Sequence, residues 1–111
     1  MKDLRVLLKA DLRTARNAND AERVSVARTL LAAIANAEAV QLDTSHPQEV
    51  QGWAEMPRRQ LTVADLAGIL GREAAELRAA ADDFEQRGAR AEAERLRARA
   101  RLVDGYLGEL P

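Results

Sequence analysis

Apolar side chains recur every three or four positions through four separate stretches of the chain, the spacing of one face of an α-helix. In the first stretch, about residues 2–17, this face holds Leu4, Leu8, Leu12 and Ala15. The second stretch, about residues 21–40, has two apolar rows. One row is Val24, Ala27, Leu31 and Ile34, and the other is Val26, Leu30, Ala33, Ala37 and Val40. A helix with two apolar faces packs on two sides, so we expect this helix to be central.

The last two stretches, about residues 62–87 and 89–107, have apolar positions at alternating spacings of three and four. In the third these are Val63, Leu66, Leu70, Ala74, Leu77, Ala81 and Phe84, and in the fourth Ala89, Ala93, Leu96, Ala100, Val103 and Leu107. Two matched stripes joined by Gly88 predict an antiparallel helical hairpin, because glycine ends a helix by adopting positive φ. Gly68 and Gly71 lie inside the third pattern, and we expect them to be positions of close packing.

Polar breaks separate these stretches. Asp20 is suited to cap the second helix, and Thr62 with Asp65 resembles a capping box at the start of the third. Residues 41–61 lack helical periodicity and contain Pro47, Gly52 and Pro57, so we predict a long loop there.

The pattern therefore predicts an all-α protein in which two helical hairpins, joined by a long loop, form a four-helix arrangement. The chain has 111 residues, which suits one compact domain over 1–111. Its apolar content is mostly alanine and leucine and a third of it is charged, a composition that favours helices.

The composition also limits the cellular location and the partners that we expect for the protein. There is no cysteine, so disulfides and thiolate metal sites are excluded, and a reducing cytoplasm is the simplest location. No apolar run has the length of a signal peptide core or of a membrane span, and we expect no membrane partner. The net charge of −1 argues against a strong overall attraction to nucleic acid.

Candidate catalytic and metal-binding residues are few. Ser25, Ser45 and His46 are the only serines and the only histidine, and no spacing pairs a nucleophile with a base. Asp43, His46 and Glu49 could act as metal ligands only on a continuous helix, which the proline after His46 opposes. We therefore predict no catalytic residues, no bound metal and no cofactor.

Local charge offers a stronger functional signal. Residues 62–88 carry a net charge of about −3 and residues 89–103 about +3, so the two helices of the predicted hairpin have opposite charge. Salt bridges along the hairpin edges are one explanation. The alternative is a face that binds a polyanion or a protein partner, formed by the arginines that share one side of the helix: Arg90, Arg97 and Arg101.

Trp53 lies in the predicted loop and has two interpretations. A single tryptophan in an irregular segment usually anchors that segment to the core. It can also contact a partner, because tryptophan is enriched at binding hot spots.

Two runs of this sequence, residues 11–39 and 61–107, resemble the GatB/YqeY domain family. The later run matches the family pattern at Leu61, Thr62, Glu73, Arg78, Phe84, Glu85, Gly88 and Ala93. The resemblance implies an all-α, YqeY-like domain, related to the C-terminal tail of the GatB component of the glutamine-dependent amidotransferase, which engages tRNA in that enzyme. It implies a short form, without the second helical domain of usual members.

Three functional hypotheses follow from the residues and the resemblance together. The first is a non-catalytic helical module that binds tRNA or a protein. The second is an accessory subunit of a glutamine-dependent amidotransferase, a carbon–nitrogen ligase whose chemistry lies in other subunits. The third is a structural module that self-associates, which the heptad stripes suggest.

Overall fold

A computed structural model of the chain describes residues 3–43 and 60–111. Within those residues there are four helices and no strand, which confirms the all-α, four-helix prediction. The helices are α1 (Leu4–Asn17), α2 (Ala21–Asp43), α3 (Val63–Gln86) and α4 (Arg90–Leu107). Helix α2 continues three residues beyond the end that its apolar pattern predicted.

Short polar side chains cap the starts of both helices in the α1–α2 hairpin. The Asp3 carboxylate accepts a hydrogen bond from the backbone N–H of Arg5 at 3.0 Å and caps α1. The Asp20 carboxylate accepts from the N–H of Arg23 at 3.2 Å, which confirms its predicted role at the start of α2. Between the helices Asn19 adopts a φ of 56°, a left-handed conformation that asparagine tolerates better than most residues.

The α3–α4 hairpin begins with the predicted capping box. The Thr62 hydroxyl accepts from the N–H of Asp65 at 3.0 Å, and the Asp65 carboxylate accepts from the N–H of Thr62 at 2.9 Å. Gly88 has a φ of +84° in the turn after α3, as expected for a glycine that ends a helix. The two helices then pack side by side along most of their length.

Buried side chains form two clusters of unequal size. The larger joins all four helices and includes Leu8, Leu30, Ile34, Leu70 and Val103, each almost fully buried. The smaller lies between α3 and α4 near their turn and consists of Ala81, Ala93 and Leu96, with Leu77, Ala80 and Phe84 packed around it. Members of every predicted apolar row lie in or against these clusters, and α2 contacts both α1 and the second hairpin.

The expectation that Gly68 and Gly71 are close-packing positions is wrong. No described atom outside the local helix lies within 4 Å of the place where a Cβ would stand on either residue. No neighbour within the described chain therefore requires a glycine at these two positions.

Candidate functional site

The three arginines of the predicted polyanion face differ in their surroundings. Arg97 is held by the carboxylates of Asp82, at 2.8 Å, and Glu85, both on α3. Arg90 and Arg101 are exposed and form no ion pair with a described residue. One of the three charges is thus already neutralised by acidic residues of the neighbouring helix.

Ion pairs also join α4 to other helices, as the opposite charges of the hairpin helices predicted. Arg78 of α3 pairs with Asp104 of α4. Arg99 of α4 pairs with Glu22 of α2 and so links the two hairpins. Two of the five arginines of α4, Arg97 and Arg99, therefore pair with carboxylates of other helices.

Several sequence candidates lie outside the described residues. These are Trp53, Ser45, His46 and Glu49, together with the side chain of Asp43. Ser25 is described, and it lines a cavity of about 40 Å³ where the two hairpins meet. A cavity of that size has room for about one water molecule, not for a substrate.

Glu73 contributes a carboxylate to the same cavity, with Thr29 and Arg99 among its neighbours. Burial, and secondarily the negative charge of Glu76, raises the pKa of Glu73 above its ordinary value. The Glu73 carboxylate is the one candidate base in the cavity, and neither the Ser25 hydroxyl nor the Thr29 hydroxyl has a hydrogen bond to it in the described structure. The cavity is a small gap between the two hairpins, and Val26, Leu30, Leu77 and Val103 form much of its lining.

A wider cleft of about 300 Å³ lies between the end of α1, the start of α2 and the end of α4. Its polar groups bind one another. The Tyr106 hydroxyl donates to the Asp11 carboxylate at 2.6 Å, and Arg23 pairs with Asp20 at 3.2 Å. Burial and the bond to Asp11 raise the pKa of Tyr106, which keeps it a neutral donor.

The first hairpin carries a row of cationic side chains that form no ion pair with any residue that the structure describes. On α1 the row consists of Lys9, Arg13 and Arg16, at spacings of four and three that place them on one side of the helix. All three are exposed, and none has an ion pair with a described residue. Arg28 of α2 is likewise exposed and without an ion pair to the described part of the chain.

Helix geometry places these four cations on the surface turned away from the second hairpin. Asp11 points toward Tyr106 of α4, and both Lys9 and Arg13 are two residues from it, about 200° around the helix. Arg28 is likewise two residues from Leu30, whose side chain is buried in the core shared with α3 and α4. The surface formed by Lys9, Arg13, Arg16 and Arg28 is called the basic face below.

Sequence reasoning missed the basic face because it compared charges only along the second hairpin. The spacing of Lys9, Arg13 and Arg16 was a readable signal. The position of Arg28 was not, because it depends on how α2 aligns with α1. The structure supplies that alignment through the ion pair between Arg5 and the buried Glu38, at 2.8 Å.

The described residues contain neither a cluster of metal ligands nor a helix that could span a membrane. No group of three or more His, Cys, Asp or Glu residues in 3–43 and 60–111 could hold a metal ion. No helix in the described part of the chain is both long enough and apolar enough to cross a bilayer. The chain matches no known protein-family model, no curated protein and no solved structure.

Proposed function

We propose that the protein is a non-catalytic helical binding module of the GatB/YqeY type, whose partner is tRNA. The basic face is the observation that carries the proposal. It offers four exposed cations on one surface of a protein whose other described arginines are largely engaged in ion pairs. Phosphate groups are the ligands that such unpaired cations favour, and contacts to phosphate need no catalytic residue.

The chemistry of the described surface supports a binding role over a catalytic one. The polar groups in the wider cleft bind one another, and in the smaller cavity no described hydroxyl is hydrogen-bonded to a base. The cysteine-free composition suits a cytoplasmic module of this kind. An association with an amidotransferase remains part of the proposal through the resemblance alone.

Self-association through the heptad stripes has less support. Ala81, Ala93, Leu96, Ala100 and Val103 are buried within the chain, so those stripes are used in its own α3–α4 seam. They offer no free apolar surface to a second copy.

Affinity capture with the purified protein as bait tests the proposal. Bound RNA is sequenced and bound proteins are identified by mass spectrometry, with an unrelated helical protein of similar net charge as the control bait. We expect tRNA to be enriched over the control. Enrichment of amidotransferase subunits without tRNA would favour the accessory-subunit alternative, and enrichment of neither would contradict the proposal.

A further inference from the structure

We propose that the basic face of the first hairpin, rather than the arginine face of α4, is the surface that binds the phosphate backbone of RNA. This inference rests on the proposed function and identifies its contact surface. The two surfaces contain different residues on different helices, so they can be tested separately. The assignment follows from which cations of the protein are paired with carboxylates and which are not.

Five acidic side chains of the first hairpin are described, and each of them already bonds to another group. Asp11 and Glu22 bond to residues of α4. Glu38 is buried and pairs with Arg5, while Asp3 and Asp20 accept hydrogen bonds at the starts of the two helices. Among the described residues none of these carboxylates pairs with a cation of the basic face, whose positive charge is therefore complementary to a polyanion.

The α4 face has the opposite character. Its central member, Arg97, already contacts two carboxylates, so binding a phosphate there requires an existing ion pair to break. Asp82 and Glu85 would also lie close to the incoming phosphate and repel it. Only Arg90 and Arg101 are free to bind, and they lie eleven residues apart, about 16 Å along the helix.

The apolar content of the basic face favours RNA over a membrane surface. Binding to a bilayer needs large apolar side chains that enter the lipid beside the cations. The exposed residues next to Arg28 on α2 are Ala32 and Ala35, whose side chains are small. Val6, the one large apolar side chain that is strongly exposed in the described part of the chain, stands three residues before Lys9 and lies beside this face, but a single valine gives little apolar surface to insert into a bilayer.

The number of cations in the basic face, four, determines how steeply we expect the RNA-binding constant to fall with salt concentration. Each neutralised phosphate contributes about −0.7 to −0.9 to the slope of log K against log salt, so the native protein should show a slope of about −2.8 to −3.6. Removal of two cations should reduce the slope to about half. At 0.1 M salt that change corresponds to a loss of affinity of about 25- to 60-fold.

Titration of fluorescently labelled tRNA with three proteins at several salt concentrations tests the assignment. They are the native chain, the Lys9→Gln/Arg13→Gln variant of the basic face and the matched Arg90→Gln/Arg101→Gln variant of α4. Each variant loses two exposed cations that have no ion pair with a described residue, so net charge changes equally. Circular dichroism verifies that both remain folded.

We expect the slope and the affinity to fall in the basic-face variant and to stay close to native in the α4 variant. The reverse result, or equal losses in both, would overturn the assignment while leaving the proposed function intact. Failure of the native protein to bind tRNA at any salt concentration would contradict the RNA-binding function itself. Tighter binding to vesicles of anionic phospholipid than to tRNA would contradict the choice of RNA as the partner.

Discussion

Tyr106 and Asp11 are 95 residues apart in the chain and form a hydrogen bond of 2.6 Å that ties the end of α4 to α1. The donor is a half-buried neutral hydroxyl and the acceptor a carboxylate, so the bond is of the stronger, charge-assisted kind. This bond adds to the apolar contacts of the large cluster, in which Leu4 and Leu8 of α1 also join the second hairpin.

Tyr106→Phe removes this bond and leaves the ring in place. We expect the free energy of unfolding to fall by about 1–2 kcal/mol, because the Asp11 carboxylate loses a donor in a partly buried cleft. Urea denaturation at pH 7 measures the change, with Tyr106→Leu as the comparison that also removes the ring. An unchanged stability in Tyr106→Phe would mean that water replaces the hydroxyl without cost.

Glu73 gives the stability a pH dependence of known sign. Its pKa is raised above the ordinary value of 4.5 in the folded protein, so the folded state retains a proton that the unfolded state has lost. The contribution of Glu73 is therefore fully present below about pH 4.5 and is lost as the pH rises through the folded pKa.

The substitution Glu73→Gln should remove the loss of stability that accompanies ionisation of Glu73. We expect the variant to gain stability relative to the native protein as the pH rises from about 4 to about 7, because the amide never acquires the charge that burial disfavours. Thermal unfolding of both proteins across this range measures the difference. Glu94→Gln, at an exposed position of α4, is the control; an equal gain there would show that burial is not the cause.

At the scale of one helix, α3 contains two glycines that its own packing does not require. A glycine inside a helix is less favourable than alanine by about 0.5–1 kcal/mol, because the unfolded chain loses more freedom. The positions of Gly68 and Gly71 have room for a methyl group. The turn glycine Gly88 differs, because its φ of +84° suits glycine alone.

Gly68→Ala and Gly71→Ala should each raise the free energy of unfolding by about 0.5–1 kcal/mol. Gly88→Ala should lower it by roughly 1 kcal/mol or more, since an L side chain is strained at positive φ. Chemical denaturation of the three variants checks both signs. A destabilising alanine at Gly68 or Gly71 would show that a contact forms there in solution.

The tip of the α3–α4 hairpin depends on the small cluster around Leu96. Leu96→Ala should cost about 2–3 kcal/mol, at the low end for a buried leucine because the side chain lies beside the surface. Leu96→Asp should cost more, because it buries an unpaired charge. Ala91→Asp, an exposed position of the same helix, is the matched control and should be close to neutral. Urea denaturation of the three variants compares them, and equal losses at Leu96 and Ala91 would contradict the burial of Leu96.

The helices themselves could be predicted well because their information is local. The apolar rows of α2, the capping box of Thr62 and Asp65 and the conformation of Gly88 are all visible within a few residues of sequence. The contacts between helices could not. The pairs Arg99 with Glu22, Tyr106 with Asp11 and Arg5 with Glu38 each depend on how distant segments align, which short-range periodicity does not encode.

At the scale of the whole molecule, the two clusters predict that substitutions within one cluster affect stability non-additively, whereas substitutions in different clusters are additive. Leu30 and Val103 belong to the large cluster that joins the hairpins, and Leu96 belongs to the small one. Residues that share a cavity or a contact are coupled, whereas separate sites behave additively.

Double-mutant cycles with alanine test this division. The Leu30→Ala/Val103→Ala pair should show a coupling of about 0.5–3 kcal/mol, because both side chains line the same cavity. Leu30→Ala with Leu96→Ala should be additive within about 0.5 kcal/mol. Strong coupling in the second pair would mean that the two clusters interact, for example through Leu77, which packs against both.

The cations of the basic face also have a consequence for how the protein binds to an ion-exchange column. With a net charge of −1 at pH 7 and an isoelectric point near 5.9, the whole chain would be expected to flow through a cation exchanger. A sulfonate resin contacts only the surface turned toward it, however, and four clustered cations are attracted over about one Debye length. The protein should therefore be retained by such a resin at low salt, bound in one orientation despite its net negative charge.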